Sequence, residues 1–148
     1  MKTTLVLLAA LFVPATFHPL KAELTPGDYE MITVLAPTGE KKESFPYSEK
    51  VKVVEKSKGK YEIILPKPPI TISYNGGYTE ESPKECDIMQ SKNGIQFQSS
   101  MQHSDGKIYT KVFSASVGNN EERYAGSIYN FGPDDFFKVG VFTLAPVK

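Results

Sequence analysis

Apolar and polar residues alternate by twos over most of this chain. Tyr29, Met31, Thr33 and Leu35 interleave with Glu30, Ile32 and Val34, and Val51 and Val53 flank Lys52. Tyr61, Ile63 and Leu65 alternate with Glu62 and Ile64; Ile70, Ile72 and Tyr74 alternate with Thr71 and Ser73. Ile95, Phe97, Ser99 and Met101 alternate with Gln96, Gln98 and Ser100, and Phe137, Val139, Val141 and Thr143 oppose Lys138 and Gly140. Successive side chains of an extended strand point to opposite faces, so each run presents one apolar face and one wetter face. No stretch beyond residue 22 keeps the 3.6-residue period of an amphipathic helix.

Turn residues separate the runs. Ser57-Lys58-Gly59-Lys60 joins two of them, and Asn75-Gly76-Gly77 offers positive-φ positions. Ser91-Lys92-Asn93-Gly94 contains the Asn-Gly pair favoured in type I′ hairpins. His103-Ser104-Asp105-Gly106-Lys107 contains Asp-Gly, and Gly132-Pro133-Asp134-Asp135 forms the last link. The pattern predicts about nine strands, near 28–36, 50–56, 60–65, 69–74, 85–90, 94–102, 107–116, 123–131 and 136–145. Links of hairpin length predict an all-β fold, an antiparallel up-and-down meander forming an eight- to nine-stranded barrel or flattened barrel. The meander is expected at least from Cys86 to the C-terminus. Residues 37–48 form the longest irregular piece, either a loop or a segment whose Phe45-Pro46-Tyr47 lies across an open end of the barrel. Pro66, Pro68 and Pro69 cannot donate ladder hydrogen bonds, so they mark a strand end or an edge.

The alternation is absent at the start of the chain. Lys2 precedes an uninterrupted apolar run from Leu5 to Val13, Pro14 breaks it, and Pro19-Leu20-Lys21-Ala22 places a small residue at a cleavage point. This is the layout of a secretory leader. The run of nine is about half of the roughly 20 apolar residues that span hydrocarbon, which argues against an anchor. Residues 1–22 are therefore expected to be a signal peptide and 23–148 a single all-β domain, with cleavage after Ala15 as the alternative. The mature chain is expected to be exported, periplasmic or extracellular, with no transmembrane segment once the leader is gone.

Composition narrows the classes of partner. The chain is 40% hydrophobic and 23% charged, which suits a globular domain rather than a disordered one. Its 17 cations match its 17 acids. Lys2 and Lys21 fall in the leader, which has no acid, so the mature chain carries a net charge of −2. Neither nucleic acid nor an anionic membrane is expected as a partner at that charge. Arg123 is the single arginine, which further weakens phosphate recognition.

Candidate chemistry is sparse. Cys86 is the only cysteine, so the domain must hold together through its core. It reads as a buried small hydrophobe, with an interchain bridge or a reactive thiol as the alternatives. His103 is the only histidine outside the leader and sits in a turn. A Cys–His or Ser–His hydrolase would need Cys86 or a serine beside it with an orienting acid such as Asp105. One Cys and one His do not make a zinc site. Asn119-Asn120-Glu121-Glu122 and Asp134-Asp135 lack the spaced acids of a calcium loop. No cofactor, metal or catalytic residue is expected.

Aromatics carry more information: nine Phe, eight Tyr and no Trp. Tyr109 and Phe113 share a strand face, as do Tyr124 and Ile128, and Phe136 and Phe142. Strands 107–116, 123–131 and 136–145 are apolar on both faces. This pattern arises either from packing against a cover or a partner, or from a barrel with room for an apolar ligand.

Gly27-Asp28-Tyr29-Glu30-Met31, leading into the first strand, resembles the G-x-W opening of lipocalin-like domains. That resemblance implies an eight-stranded barrel closed at one end by a short N-terminal segment. It further implies a barrel-closing pair of Tyr29 with a basic residue, here Arg123, and transport or sequestration of a small hydrophobic molecule. The tryptophan, the usual disulfides and a C-terminal helix are missing. The leading expectation is a non-catalytic binder with Phe97, Tyr109, Phe113 and Phe142 lining the site. The alternative is a secreted or envelope-associated protein-interaction module, dimeric through Cys86 or an aromatic sheet face, with no small-molecule ligand.

Overall fold

The computed structural model describes residues 23–37, 44–118 and 123–148. The expected leader, its expected cleavage point and residues 119–122 lie outside the described residues. Ten strands follow one another: β1 Gly27–Leu35, β2 Tyr47–Ser57, β3 Lys60–Ile64, β4 Thr71–Ser73, β5 Thr79–Glu81, β6 Glu85–Ser91, β7 Gly94–Gln102, β8 Ile108–Val117, β9 Tyr124–Phe131 and β10 Phe136–Pro146. Eight of them close an antiparallel barrel in the order β1-β10-β9-β8-β7-β6-β3-β2. The meander from β6 to β10 is continuous, and β10 returns to β1 with Tyr29 opposite Pro146 and Leu35 opposite Gly140.

The period-two pattern selects the inner face. Tyr29, Met31, Val51, Val53, Ile63, Cys86, Ile95, Phe97, Phe113, Ile128, Phe142 and Leu144 form one buried cluster. Glu30, Lys50, Lys52 and Asp87 lie on the exposed outer face. A charged exterior around an apolar interior is the inverse of a membrane-spanning barrel. Among the described residues no helix is long and apolar enough to cross a membrane.

Four details depart from the sequence-based expectation. The segment around 69–74 is no barrel stave. Pro66, Pro68 and Pro69 interrupt the chain after β3, and β4 pairs only with β5 in a separate hairpin. Tyr47 begins β2 opposite Thr33 and is not part of a loop across the opening, while Phe45 is exposed. The β6–β7 turn is Lys92-Asn93, with Ser91 opposite Gly94. Gly94 is therefore needed for close approach: a Cβ there would meet the Ala115 carbonyl. Finally, a bulge between Lys138 and Gly140 shifts the register of β10 against β9. Phe136 consequently faces out and Phe142 in, although their spacing puts them on one face of a regular strand.

Candidate functional site

The closed end of the barrel is built from the first residues of the domain. Leu24 is buried there, and the Tyr29 hydroxyl donates to the Thr25 carbonyl at 3.0 Å. Tyr124 lies close enough to Tyr29 for the two phenols to interact, and burial pushes the Tyr124 hydroxyl above its ordinary pKa. Arg123 is exposed just before β9, where its carbonyl accepts from Gly118 N–H at 2.6 Å. Tyr29 is thus held by Thr25 and neighbours Tyr124 within the described contacts.

The middle of the barrel is filled by its own rings. Phe97 and Phe113 stack with centroids 4.6 Å apart, and Phe142 meets both edge-on at 6.0 and 5.6 Å. Three of the four residues expected to line a ligand site are therefore packed on one another, as aromatic side chains in a small barrel prefer to be. Tyr109, the fourth, lies nearer the opposite end of the barrel.

That end is hollow. A cavity of about 230 Å³ is bounded by Met31, Thr33, Leu35, Tyr47, Glu49 and residues Leu65 to Pro69, with Lys111, Phe113 and Ile128 on the facing wall. A second hollow of about 400 Å³ shares Pro69 and Lys111 with the first and continues past Tyr109, Asn130 and Phe137. The proline-rich segment after β3 thus runs across the mouth between the two. Phe113 presents one side to the Phe97 and Phe142 rings and the other to the first cavity.

Polar groups are set into these apolar walls. Thr33 is 1% exposed, and its Oγ1 has no hydrogen-bond partner among the described residues. Asn130 Oδ1 is likewise buried and unpartnered, directly across the ladder from Lys111. Burial lowers the Lys111 ammonium from its ordinary value, and the nearby Lys67 charge lowers it further. Glu49 is taken up by Lys67 at 3.2 Å, and Lys67 also stands 5.5 Å above the Tyr47 ring. Lys111, Thr33 and Asn130 were not among the expected site residues. The sequence does mark them, because each interrupts the apolar face on which its strand neighbours Phe113, Met31 and Ile128 lie.

His103 sits beside the same opening. Asp105 N–H lies 3.1 Å from its Nδ1, the Asp105 carboxylate stands 3.0 Å from the same nitrogen, and Nε2 meets the Tyr74 hydroxyl. Tyr74 in turn donates to Glu80 at 3.0 Å, so the β4–β5 hairpin is clasped to the β7–β8 turn. The Asp105 carboxylate is held below its ordinary pKa first by the Lys107 backbone N–H, then by the nearby His103 and Lys107 charges. Cys86 is elsewhere, opposite Ile63 in the core, where burial pushes its thiol up to about 11. At the His103 ring stands the turn serine Ser104, its Oγ 3.4 Å from the same Nδ1 that faces Asp105, so the nitrogen a serine nucleophile would use is shared with the acid. No family model, no curated protein and no solved structure matches this chain.

Proposed function

We propose that this chain is an exported, non-catalytic binding protein that takes a small, largely apolar ligand into the open end of its barrel. The observation that carries the reading is the cavity over Met31, Phe113 and Ile128, whose walls hold a buried hydroxyl without a hydrogen-bond partner and a half-buried ammonium without an acid at ion-pair distance among the described residues. Ligand sites are concave and mostly apolar with a few convergent polar groups. The lipocalin-like resemblance supports the same reading, since the barrel has eight strands and Leu24 and Thr25 cover one end. Phe113 and Tyr109 remain wall residues, while Phe97 and Phe142 act as filling beneath them. At about 230 Å³ the first cavity suits a short chain or single ring, below the ~300 Å³ of ordinary drug-sized sites.

The test is a thermal-shift and NMR screen of the purified chain against short-chain acids, alcohols and single-ring aromatics. A ligand present at about a hundred times its Kd stabilises by roughly 2.7 kcal/mol, enough to raise Tm by several degrees. The resonances of Thr33, Phe113 and Ile128 are expected to move with it. A panel in which no compound raises Tm or shifts those resonances would reject the reading.

One observation favours a second reading, the protein-interaction module. Outside the barrel, Phe136 is 59% exposed, stacks on Tyr129 at 5.5 Å and lies tilted against Phe131 at 4.6 Å. Light scattering with and without Phe136→Ser separates the two readings. A dimer that the substitution dissolves supports a docking face, and a monomer in both samples counts against it.

A further inference from the structure

Lys111 stands between Tyr109 and Phe113 on the inner face of β8, with Ser99 and Asn130 across the two ladders and no acid beside it. An ammonium drawn into such surroundings loses hydration, and the loss is offset only where an opposite charge or several acceptors replace the water. Among the described residues no carboxylate lies within ion-pair distance of Lys111. The one acid on the cavity wall, Glu49, is already engaged by Lys67. A second cation therefore stands near Lys111 without relieving it, and the mouth of the cavity carries one positive charge in excess. The Thr33 hydroxyl, on the wall of the same cavity, has a donor to give and no acceptor.

We propose that the ligand of this cavity carries a single acidic head group, a carboxylate or sulfonate, seated on Lys111 with Thr33 donating to it and its apolar body lying on Met31, Phe113 and Ile128. The proposal rests on the binding reading above and specifies its ligand class. A short monoanionic amphiphile serves the Lys111 ammonium and the Thr33 hydroxyl in one step, bringing a counter-charge to the first and an acceptor to the second. Lys67 stays with Glu49 and adds long-range attraction at the mouth. A neutral analogue of the same length fills the same apolar volume but leaves the ammonium bare.

Hexanoate and 1-hexanol, matched in length, are titrated against the wild-type chain and Lys111→Met, following the resonances around the cavity. The wild type is expected to bind hexanoate at least about tenfold tighter than hexanol, the gain of one charge-assisted contact. Lys111→Met is expected to lose that preference, to hold hexanol as before, and to melt higher than the wild type, since it no longer buries an unpaired charge. In the wild type, the Lys111 side-chain titration should move to higher pH when hexanoate is bound. Equal binding of the two compounds by the wild type, or a preference for acid that survives in Lys111→Met, overturns the head-group assignment and leaves the binding reading standing. Absence of binding by both compounds, together with a blank screen, overturns both.

Discussion

Cys86 shows how placement decides the chemistry of a side chain. It pairs with Ile63 on β3 and points into the cluster that contains Val53, Ile63 and Phe97. Desolvation there disfavours the thiolate, and the Glu62, Glu85 and Asp87 charges add to the effect. An interchain bridge or a reactive thiol needs an accessible thiolate, and this position offers neither access nor ionisation. We expect Ellman's reagent at pH 8 to leave the native chain unlabelled and to titrate one thiol in denaturant. The linkage has a definite sign. A thiol whose folded pKa is raised stabilises fully below its unfolded value of 9.0, and that contribution is lost as pH rises toward about 11. Cys86→Ala should therefore flatten the fall in Tm across that alkaline window, at the cost of a small cavity. A native thiol that labels rapidly would show the core open at β6.

Elements were legible wherever the alternation was uninterrupted. β1, β3 and β7 bury the faces that counting by twos assigns, Tyr29-Met31-Thr33, Ile63-Leu65 and Ile95-Phe97-Ser99-Met101 among them. Counting fails where the chain breaks its own rule. The bulge at Lys138–Gly140 adds one residue to β10, and Gly140 then passes so near β1 that a Cβ would strike the Val34 carbonyl. A composition of alternating Phe, Val and Gly does not announce that extra residue. The prolines after β3 announce a break but not its destination, because the β4–β5 hairpin is positioned by tertiary contacts: Tyr74 to His103, and the Ile70 N–H to Ser82 Oγ at 3.1 Å. The candidate site was half legible for the same reason. Phe113 was named from its aromatic face, whereas Lys111 and Thr33 look like ordinary polar strand residues until closure of the barrel turns them inward. The polar member of an apolar face was the signal, and it gains meaning only once the opposite wall is known.

At the scale of the molecule, closure is the property on which the rest depends. A sheet of this length left open would present two unpaired edges, and here the first and last strands cancel them by pairing with each other. β10 also supplies Phe142 to the central ring cluster and Leu144 to the closed end, so one strand serves both the ladder and the core. The C-terminal strand thus completes contacts most distant in sequence, and native structure should appear only when the whole chain has emerged. Two truncations separate closure from simple loss of length. Removing Val147 and Lys148 deletes the bond from Val147 N–H to the Asp28 carbonyl at 2.9 Å together with the interaction Lys148 makes, leaves the β1–β10 ladder whole, and should cost about 1–3 kcal/mol. Stopping after Asp135 removes β10 entirely, exposes the partner edges of β1 and β9 and opens the cavity wall. That chain should show no cooperative thermal or urea transition and should aggregate, as strands with bare edges and an uncovered apolar face do. Circular dichroism and urea titration read both outcomes. A cooperative transition in the longer truncation would mean that seven staves hold the core without closing on themselves, and the open-ended cavity would then no longer follow from the barrel.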